Sequence, residues 1–181
     1  MIRVLVPLAP GCEELEAVTV VDILRRAGFE VITAGLSAGP VKASRGVVLL
    51  PDVELDAVLG DPYDLVVLPG GMPGSAHLKN DARIIALLQR MRAQGHYTAA
   101  ICAAPMVLHA AGLLEGRRAT GFPGVLDQLP GTHHACSDAV VADGTVVTSR
   151  GPGTAMDFAL TLIERLAGSG LRTQVEAGLV R

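Results

Sequence analysis

The sequence is poor in aromatic residues and has no cluster of basic ones. Its 181 residues include three Phe, two Tyr and no Trp, and the formal net charge is −3. A protein that binds nucleic acid needs a basic face and usually stacks bases on aromatic side chains. The composition therefore argues against a nucleic-acid partner.

Long apolar runs are also lacking. No stretch approaches the ~20 apolar residues that a membrane-spanning helix needs. The segment Met1-Ile2-Arg3-Val4 enters a predicted strand directly and has no signal-peptide layout. Three cysteines, an odd number, do not predict a disulfide framework. We therefore expect a cytoplasmic protein with reduced thiols and no membrane partner.

What the sequence does contain is a regular alternation of short β-branched runs and longer amphipathic segments. The predicted strands are 4–8, 31–34, 65–68 and 97–101, and the predicted helices are 13–27, 82–94, 105–111 and 153–167. This βαβα order predicts an α/β fold with a mostly parallel sheet that helices cover on both faces. With no repeat and no linker, residues 1–181 are expected to form a single domain.

Two hairpins are predicted beside this alternation. Val41 and the run 47–49 indicate a small one, and the segment 140–147 indicates a stronger one. Asp143-Gly144 in the second hairpin favours a type I′ turn. The tail after Gly168 is left unassigned.

Cys102 lies where the predicted strand 97–101 ends and a helix follows. A side chain at such a turn stands at the carboxyl edge of the sheet, where open α/β folds bind ligands. The N–H groups and the positive dipole end of the following helix are expected to favour the thiolate. Cys102 is therefore a candidate nucleophile or oxidation sensor, with a buried structural thiol as the alternative.

Other predicted loops converge on the same edge of the sheet. They are the segments 9–16, 69–74 and 148–154, each of which follows a predicted strand. Glycines such as Gly70 and Gly71 allow close backbone approach, which suits N–H groups directed at an anion. A Gly-Gly pair also occurs in simple turns, but its position opposite a cysteine favours a function.

Three glutamates, Glu13, Glu14 and Glu16, lie in the first turn of the first predicted helix. Carboxylates are favoured there by the helix dipole alone, so a structural role is the alternative for each. One that reached Cys102 could hydrogen-bond the sulfur or move a proton to and from substrate.

These loops carry five motifs, in order, that resemble the ThiJ/PfpI superfamily. The motifs are Gly11-x-Glu13-Glu14-x-Glu16 and the segments 67–71, 100–105, 120–123 and 148–154. More narrowly, they are similar to the branch that holds the human parkinsonism-associated deglycase and bacterial YajL. The similarity runs from Val4 to about Val180.

The resemblance implies a flavodoxin-like three-layer α/β/α sandwich that forms a homodimer. It implies that Cys102 is an oxidisable cysteine on a nucleophile elbow, and that Glu16 is the carboxyl bonded to its sulfur. The N–H groups of Gly71 and Ala103, beside Gly70, match those that line the anion pocket of the family.

Two arginines also match the family, and one residue differs from the human relative. Arg45 and Arg150 match arginines that gather near the site at the dimer interface, with a structural ion pair as the alternative. Phe122 stands where the human relative has His, as it does in YajL-like proteins, and it cannot move a proton. The protease-like branch has His where this chain has Ala103, which argues against a Cys-His hydrolase.

The activity implied is that of a glyoxalase III-type hydro-lyase or protein deglycase. It would act on methylglyoxal and its early adducts on Cys, Lys or Arg side chains, releasing lactate without a metal or organic cofactor. A glycated nucleotide is the one form in which the resemblance would allow a nucleic-acid substrate. The alternative is an oxidative-stress sensor and redox-regulated chaperone that uses the same cysteine.

Two other kinds of site are disfavoured. A flavodoxin-like phosphate site would need a phosphate-binding loop after the first strand, but Cys12 and three glutamates that would repel phosphate lie there. His133, His134 and Cys136 do not have the spacing expected of a metal site.

Overall fold

The computed structural model describes residues 1–131 and 133–181. Within them, a central sheet of seven strands forms the middle layer. The described residues form eleven strands in all: β1 (Arg3–Leu8), β2 (Glu30–Gly35), β3 (Val41–Lys42), β4 (Val48–Leu49), β5 (Val53–Glu54), β6 (Leu65–Leu68), β7 (Tyr97–Ile101), β8 (Arg118–Ala119), β9 (His134–Ala135), β10 (Val140–Asp143) and β11 (Val146–Ser149). The order in the sheet is β10-β11-β7-β6-β1-β2-β5, and every neighbouring pair is parallel except β10 with β11. Outside it, β3 and β4 form an antiparallel pair and β8 and β9 a parallel one.

Helices cover both faces of this sheet. They are α1 (Glu14–Arg26), α2 (Gly74–Asn80), α3 (Ala82–Ala93), α4 (Pro105–Ala110), α5 (Ala155–Ala167) and α6 (Ser169–Gly178), with 3₁₀ turns at Leu55–Ala57, Leu126–Gln128 and Pro152–Thr154. Buried side chains of α1, α5 and α6 share one core, whereas those of α2, α3 and α4 share the other. The predicted three-layer α/β/α architecture is therefore confirmed.

The burial of β1 shows why the sequence folds this way. Residues 4–8 of the strand are all buried, as expected for a strand with helices on both sides. Val4 and Val6 belong to the core of α1 and α5, whereas Leu5 belongs to the opposite core. Successive side chains of a strand point to opposite faces, so one apolar run supplies both layers.

The predicted strands and helices are confirmed as β1, β2, β6, β7 and as α1, α3, α4, α5, with ends that differ by two residues or fewer. The small hairpin is β3 with β4, and the larger one is β10 with β11.

The type I′ turn predicted for the larger hairpin is wrong. Asp143 pairs with Val146, so Gly144 is the first loop residue, and its φ of +60° is not followed by a second positive φ at Thr145. One positive φ at the first loop position is the pattern of a type II′ turn.

Two helices, α2 and α6, were not predicted from the sequence. The seven residues of α2 bury only Gly74, Ser75 and Leu78, which is too short a pattern to show a helical period. In α6 only Val175 is buried, and the helix packs against α5. Both helices depend on tertiary packing more than on their own sequence pattern.

The topology brings the site together. Because β1, β6, β7 and β11 run parallel, the loops after them meet at one edge of the sheet.

Within the described residues, no helix combines the length and apolar character that crossing a bilayer requires.

Candidate active site

Cys102 sits on a strained turn directly after β7. Its φ is +63°, in the left-handed region that costs an L-residue about 1–2 kcal/mol. Two backbone hydrogen bonds hold it there. The Cys102 N–H donates to Ser149 O at 3.0 Å, and the Phe122 N–H donates to Cys102 O at 2.7 Å. The predicted nucleophile elbow is therefore present, and it presents a side chain that is 8% exposed.

Glu16 projects from the first turn of α1 to the same point. It is fully buried, and its Oε2 accepts a hydrogen bond from the Gly70 N–H at 2.8 Å. Its Oε1 has no partner within the described part of the chain. Burial raises the pKa of Glu16 to about 7, while the hydrogen bonds from Gly70 and Cys102 act in the opposite direction. The structure thus brings Glu16 and Cys102 together, as the resemblance implied.

The environment of the Cys102 thiol opposes its ionisation. Burial raises the pKa of Cys102 to about 12, and the negative charge of Glu16 adds to the rise. The N–H groups of Gly71 and Ala103 point at the sulfur and lower the pKa, but by less. The expected preference for the thiolate is not met in this state, because burial and the charge of Glu16 outweigh the N–H groups, although α4 begins at Pro105 as predicted.

The two groups are therefore best described as a pair that shares a proton. When Glu16 is a carboxylate, its charge opposes ionisation of Cys102. When Glu16 carries the proton, that repulsion is gone, and the carboxylic acid can donate a hydrogen bond to the thiolate. The N–H groups of Gly71 and Ala103 then hold the negative sulfur. A reactive thiolate here requires a protonated Glu16.

The Gly70-Gly71 pair makes this contact sterically possible. A Cβ on Gly70 would lie 2.5 Å from Cys102 Cβ and 2.7 Å from Glu16 Oε2. A Cβ on Gly71 would lie 2.4 Å from the Glu13 N, and its φ is +85°. Only glycine allows the loop after β6 to pass between the cysteine and α1.

Above Cys102 a cavity of about 320 Å³ opens to solvent. Its lining combines apolar side chains with hydroxyl, carboxylate and guanidinium groups. The apolar lining comes from Met72, Ala103, Phe122, Val125 and Pro152, and the polar lining from Glu13, Ser44 and Arg45. The cavity has room for a small carbonyl compound directly over the sulfur.

Arg45 reaches this cavity because Glu14 anchors its loop. The buried Glu14 carboxylate accepts hydrogen bonds from the N–H groups of Arg45 at 2.9 Å and Val47 at 3.3 Å, and from Ser44 Oγ at 3.1 Å. Burial alone would raise the pKa of Glu14, but these hydrogen bonds bring it below its usual value. The anchoring role was missed, since nothing in the spacing of Glu14 links it to the distant 44–47 loop.

Arg150 does not line the Cys102 cavity of this chain. It lies in an adjoining cavity of about 410 Å³, where its guanidinium donates to Ser137 O at 2.9 Å. Phe122 borders both cavities and separates them. Cys136 also lines the second cavity, with its sulfur 3.5 Å from Ala119 O.

The third cysteine, Cys12, is fully buried in the core beside α1. Burial raises the pKa of its thiol to about 11, with a further rise from the charge of Glu14. A buried thiol of this kind is poorly suited to resolve an oxidised Cys102.

The sequence of the chain matches the model of the DJ-1/PfpI family over residues 2–165. It is 46% identical to protein dj-1beta of Drosophila melanogaster over 178 residues, which cover 97% of this chain and 95% of that protein. It is also 40% identical over 157 residues to a Caenorhabditis elegans protein named glutathione-independent glyoxalase DJR-1.2, covering 86% of this chain and 83% of that one.

The structure is similar to solved members as well. Oxidised Toxoplasma gondii DJ-1 matches it with a TM-score of 0.95 and 41% identity, covering 99% of this chain and 98% of that one. These similarities extend over the elbow, the glycine pair and α1, where the sequence motifs lie. The ThiJ/PfpI prediction is thereby confirmed, and the chain belongs to the DJ-1/PfpI family.

Proposed function

We propose that this chain is a cysteine-dependent glyoxalase and protein deglycase that needs no cofactor. The observation that carries the proposal is the pairing of Cys102 with a buried, proton-holding Glu16 under an open cavity. The glyoxalase name of the Caenorhabditis elegans relative supports it. The substrates would be methylglyoxal and its early adducts on Cys, Lys or Arg side chains, and the product lactate.

The first step is addition of the Cys102 thiolate to the aldehyde carbon of methylglyoxal. The oxyanion that forms lies within reach of the Gly71 and Ala103 N–H groups, which already point at the sulfur. Glu16 gives its proton to this oxygen and becomes a carboxylate. With an adduct, the thiolate displaces the amine or thiol of the modified side chain from the same carbon. That group leaves with the bonding electrons and takes the proton of Glu16, which again becomes a carboxylate.

The second step converts the hemithioacetal to a thioester. The Glu16 carboxylate removes the hydrogen on the first carbon, and the electron pair forms an enediolate. The same carboxyl returns the proton to the second carbon while the hydroxyl proton moves from the first oxygen to the second. Water then hydrolyses the lactoyl thioester, which releases lactate and restores Cys102.

Replacing either member of the pair tests this mechanism. We expect Cys102→Ser to abolish lactate formation from methylglyoxal, because the nucleophile is lost. Glu16→Gln should slow it by about 10²-fold or more, the usual contribution of a positioned acid–base group. Lactate is measured in thiol-free buffer, with Cys136→Ser as the matched cysteine control that keeps its rate. Full turnover by Cys102→Ser would refute the proposal.

The shared proton predicts a pH effect. Glu16→Gln removes the negative charge that raises the pKa of Cys102, so the thiolate should form at lower pH. The rate of Cys102 alkylation by iodoacetamide, followed against pH, should shift its midpoint downward in Glu16→Gln. The exposed Glu54→Gln serves as the control. An unchanged or higher midpoint would show that the charge of Glu16 does not govern the thiol.

A second candidate function is oxidative-stress sensing, with chaperone activity controlled by Cys102. The same N–H donors and protonated carboxyl that hold a thiolate could hold a sulfinate, which is negatively charged and accepts hydrogen bonds. Two peroxide molecules would oxidise the thiolate to sulfinate and leave two waters. The solved Toxoplasma gondii relative is in an oxidised form, which supports this candidate.

Modest peroxide should then convert Cys102 to sulfinate, with a parallel change in the protection of an aggregating client protein. Intact-protein mass spectrometry and peptide mapping would locate the added oxygens, and Glu16→Gln should alter the yield. If Cys102 resists oxidation by peroxide, the proposed sensor function is refuted. Many lactate molecules per cysteine, in contrast, would identify turnover as the main role.

We also propose that the protein is a homodimer in the cytoplasm, whose reducing conditions would keep Cys102 as a thiol. An exposed apolar face beside the Arg45 loop supports the dimer. It is formed by Leu15, Val18, Val47, Val48 and Leu50. A groove of about 310 Å³ that includes Val18 and Leu50 runs along it. Apolar faces of this kind mark interfaces more often than free surface.

Val18→Asp should therefore convert a wild-type dimer to monomers, because it buries an unpaired charge in the interface. Sedimentation velocity at micromolar concentration measures the change. Met156→Asp, which places the same charge on an exposed residue of α5, is the control. A monomeric wild type would refute the dimer.

A further inference from the structure

Glu13 lies on the wall of the Cys102 cavity and is held in place there. Its N–H donates to Gly70 O at 2.9 Å, and its Oε2 accepts a hydrogen bond from Ser44 Oγ at 2.9 Å. The backbone of Glu13 packs so closely on Gly71 that a Cβ there would lie 2.4 Å from the Glu13 N. The carboxylate is therefore fixed next to the loop that carries the anion-binding N–H groups.

Glu13 differs from Glu16 in its access to solvent. Glu13 is half-buried and borders the cavity, whereas Glu16 is fully buried beneath the sulfur. Of the described residues that line this cavity, the ionisable ones besides Cys102 are Glu13 and Arg45, and Arg45 cannot accept a proton. Phe122, which also lines the cavity, offers no proton acceptor.

The proposed reaction needs a second proton acceptor at this position. Once the lactoyl group is on Cys102, Glu16 lies behind the sulfur, while the water that attacks the thioester must come from the open side. Water is a weak nucleophile at neutral pH unless a positioned base removes its proton. Glu13 is the carboxylate on that side.

We propose that Glu13 is the general base for hydrolysis of the Cys102 thioester, an inference that rests on the proposed glyoxalase function. Water adds its oxygen to the acyl carbon and gives one proton to Glu13. The tetrahedral oxyanion is held by the Gly71 and Ala103 N–H groups. The C–S bond then breaks, the sulfur leaves with the bonding electrons as a thiolate, and lactic acid departs and ionises. Glu13 returns its proton to bulk water at the mouth of the cavity.

Ser44 is a positioning residue in this scheme, because its hydroxyl orients the Glu13 carboxylate. The same hydroxyl lies 3.1 Å from Glu14 Oε2, and its one proton can serve only one carboxylate at a time. Ser44→Ala should therefore weaken the orientation of Glu13 without removing the base.

The test separates formation of the thioester from its breakdown. Wild type, Glu13→Gln and Glu54→Gln are mixed with methylglyoxal in thiol-free buffer, and lactate release is followed. In Glu13→Gln the first equivalent of methylglyoxal should be consumed at close to the wild-type rate. Steady-state lactate release should then fall by about 10²-fold or more. Glu54→Gln should behave as wild type.

The accumulated intermediate identifies the step. Acid-quenched Glu13→Gln should carry one lactoyl group on Cys102, seen by intact mass and peptide mapping. After removal of free methylglyoxal, hydroxylamine should release it as lactohydroxamate, because this nucleophile needs no base. A kcat that falls while the lactoyl enzyme accumulates is a result that a merely structural role of Glu13 would not give. Ser44→Ala should show a smaller accumulation.

Two results would overturn the inference. Either Glu13→Gln releases lactate at the wild-type rate, or it slows the first equivalent with no lactoyl enzyme present. If Glu13→Gln does not fold, Glu13→Asp, which keeps a carboxylate on a shorter arm, should still show partial accumulation, and its absence counts against the inference. Failure of wild type to turn over at all would instead refute the proposed function.

Discussion

The site depends on one close contact, in which the backbone of Gly70 passes between Cys102 and Glu16. The Gly70 N–H is bonded to the Glu16 carboxyl at 2.8 Å, and the place of its missing side chain is filled by Cys102 Cβ and Glu16 Oε2. Any larger residue would push β6 away from α1 or from the elbow. Because β6 pairs with both β1 and β7, this displacement would disturb the strand pairing at the centre of the sheet, and with it the packing of both cores.

Burial gives that contact its chemistry. In water a neighbouring carboxyl and thiol would ionise almost independently. Here burial raises the pKa of both groups, the charge of Glu16 raises that of Cys102 further, and the hydrogen bond from Cys102 partly offsets the rise at Glu16. The pair therefore holds a proton near neutral pH and can move it without help from a histidine. The strained φ of Cys102 has a related origin, because hydrogen bonds from Cys102 to Ser149 and from Phe122 to Cys102 hold the turn that aims the sulfur into the cavity.

Much of this fold could be predicted from the sequence because the strongest signals are local. The apolar run of β1 and the periodic pattern of α5 each specify an element by themselves. The family motifs located Cys102, Glu16 and Gly71 in one site for the same reason. Distant contacts left no such trace. The anchoring of the Arg45 loop by Glu14 joins positions 31 residues apart, and the separation of Arg150 from Cys102 depends on where the Phe122 ring lies. The direction of the Cys102 pKa shift depends on the burial of the thiol itself and on the charge of Glu16, which no spacing reveals.

The two glutamates on either side of Gly70 and Gly71 suggest how one turn of helix can serve two proton transfers. Residues three apart on a helix lie on the same side, yet here Glu13 precedes α1 in extended backbone and Glu16 lies within it. The break at the helix start sends one carboxyl to solvent and the other beneath the sulfur. In the proposed mechanism a chain with Phe122 needs no histidine, because the start of α1 supplies a protected carboxyl for the carbon-bound proton and an accessible one for water.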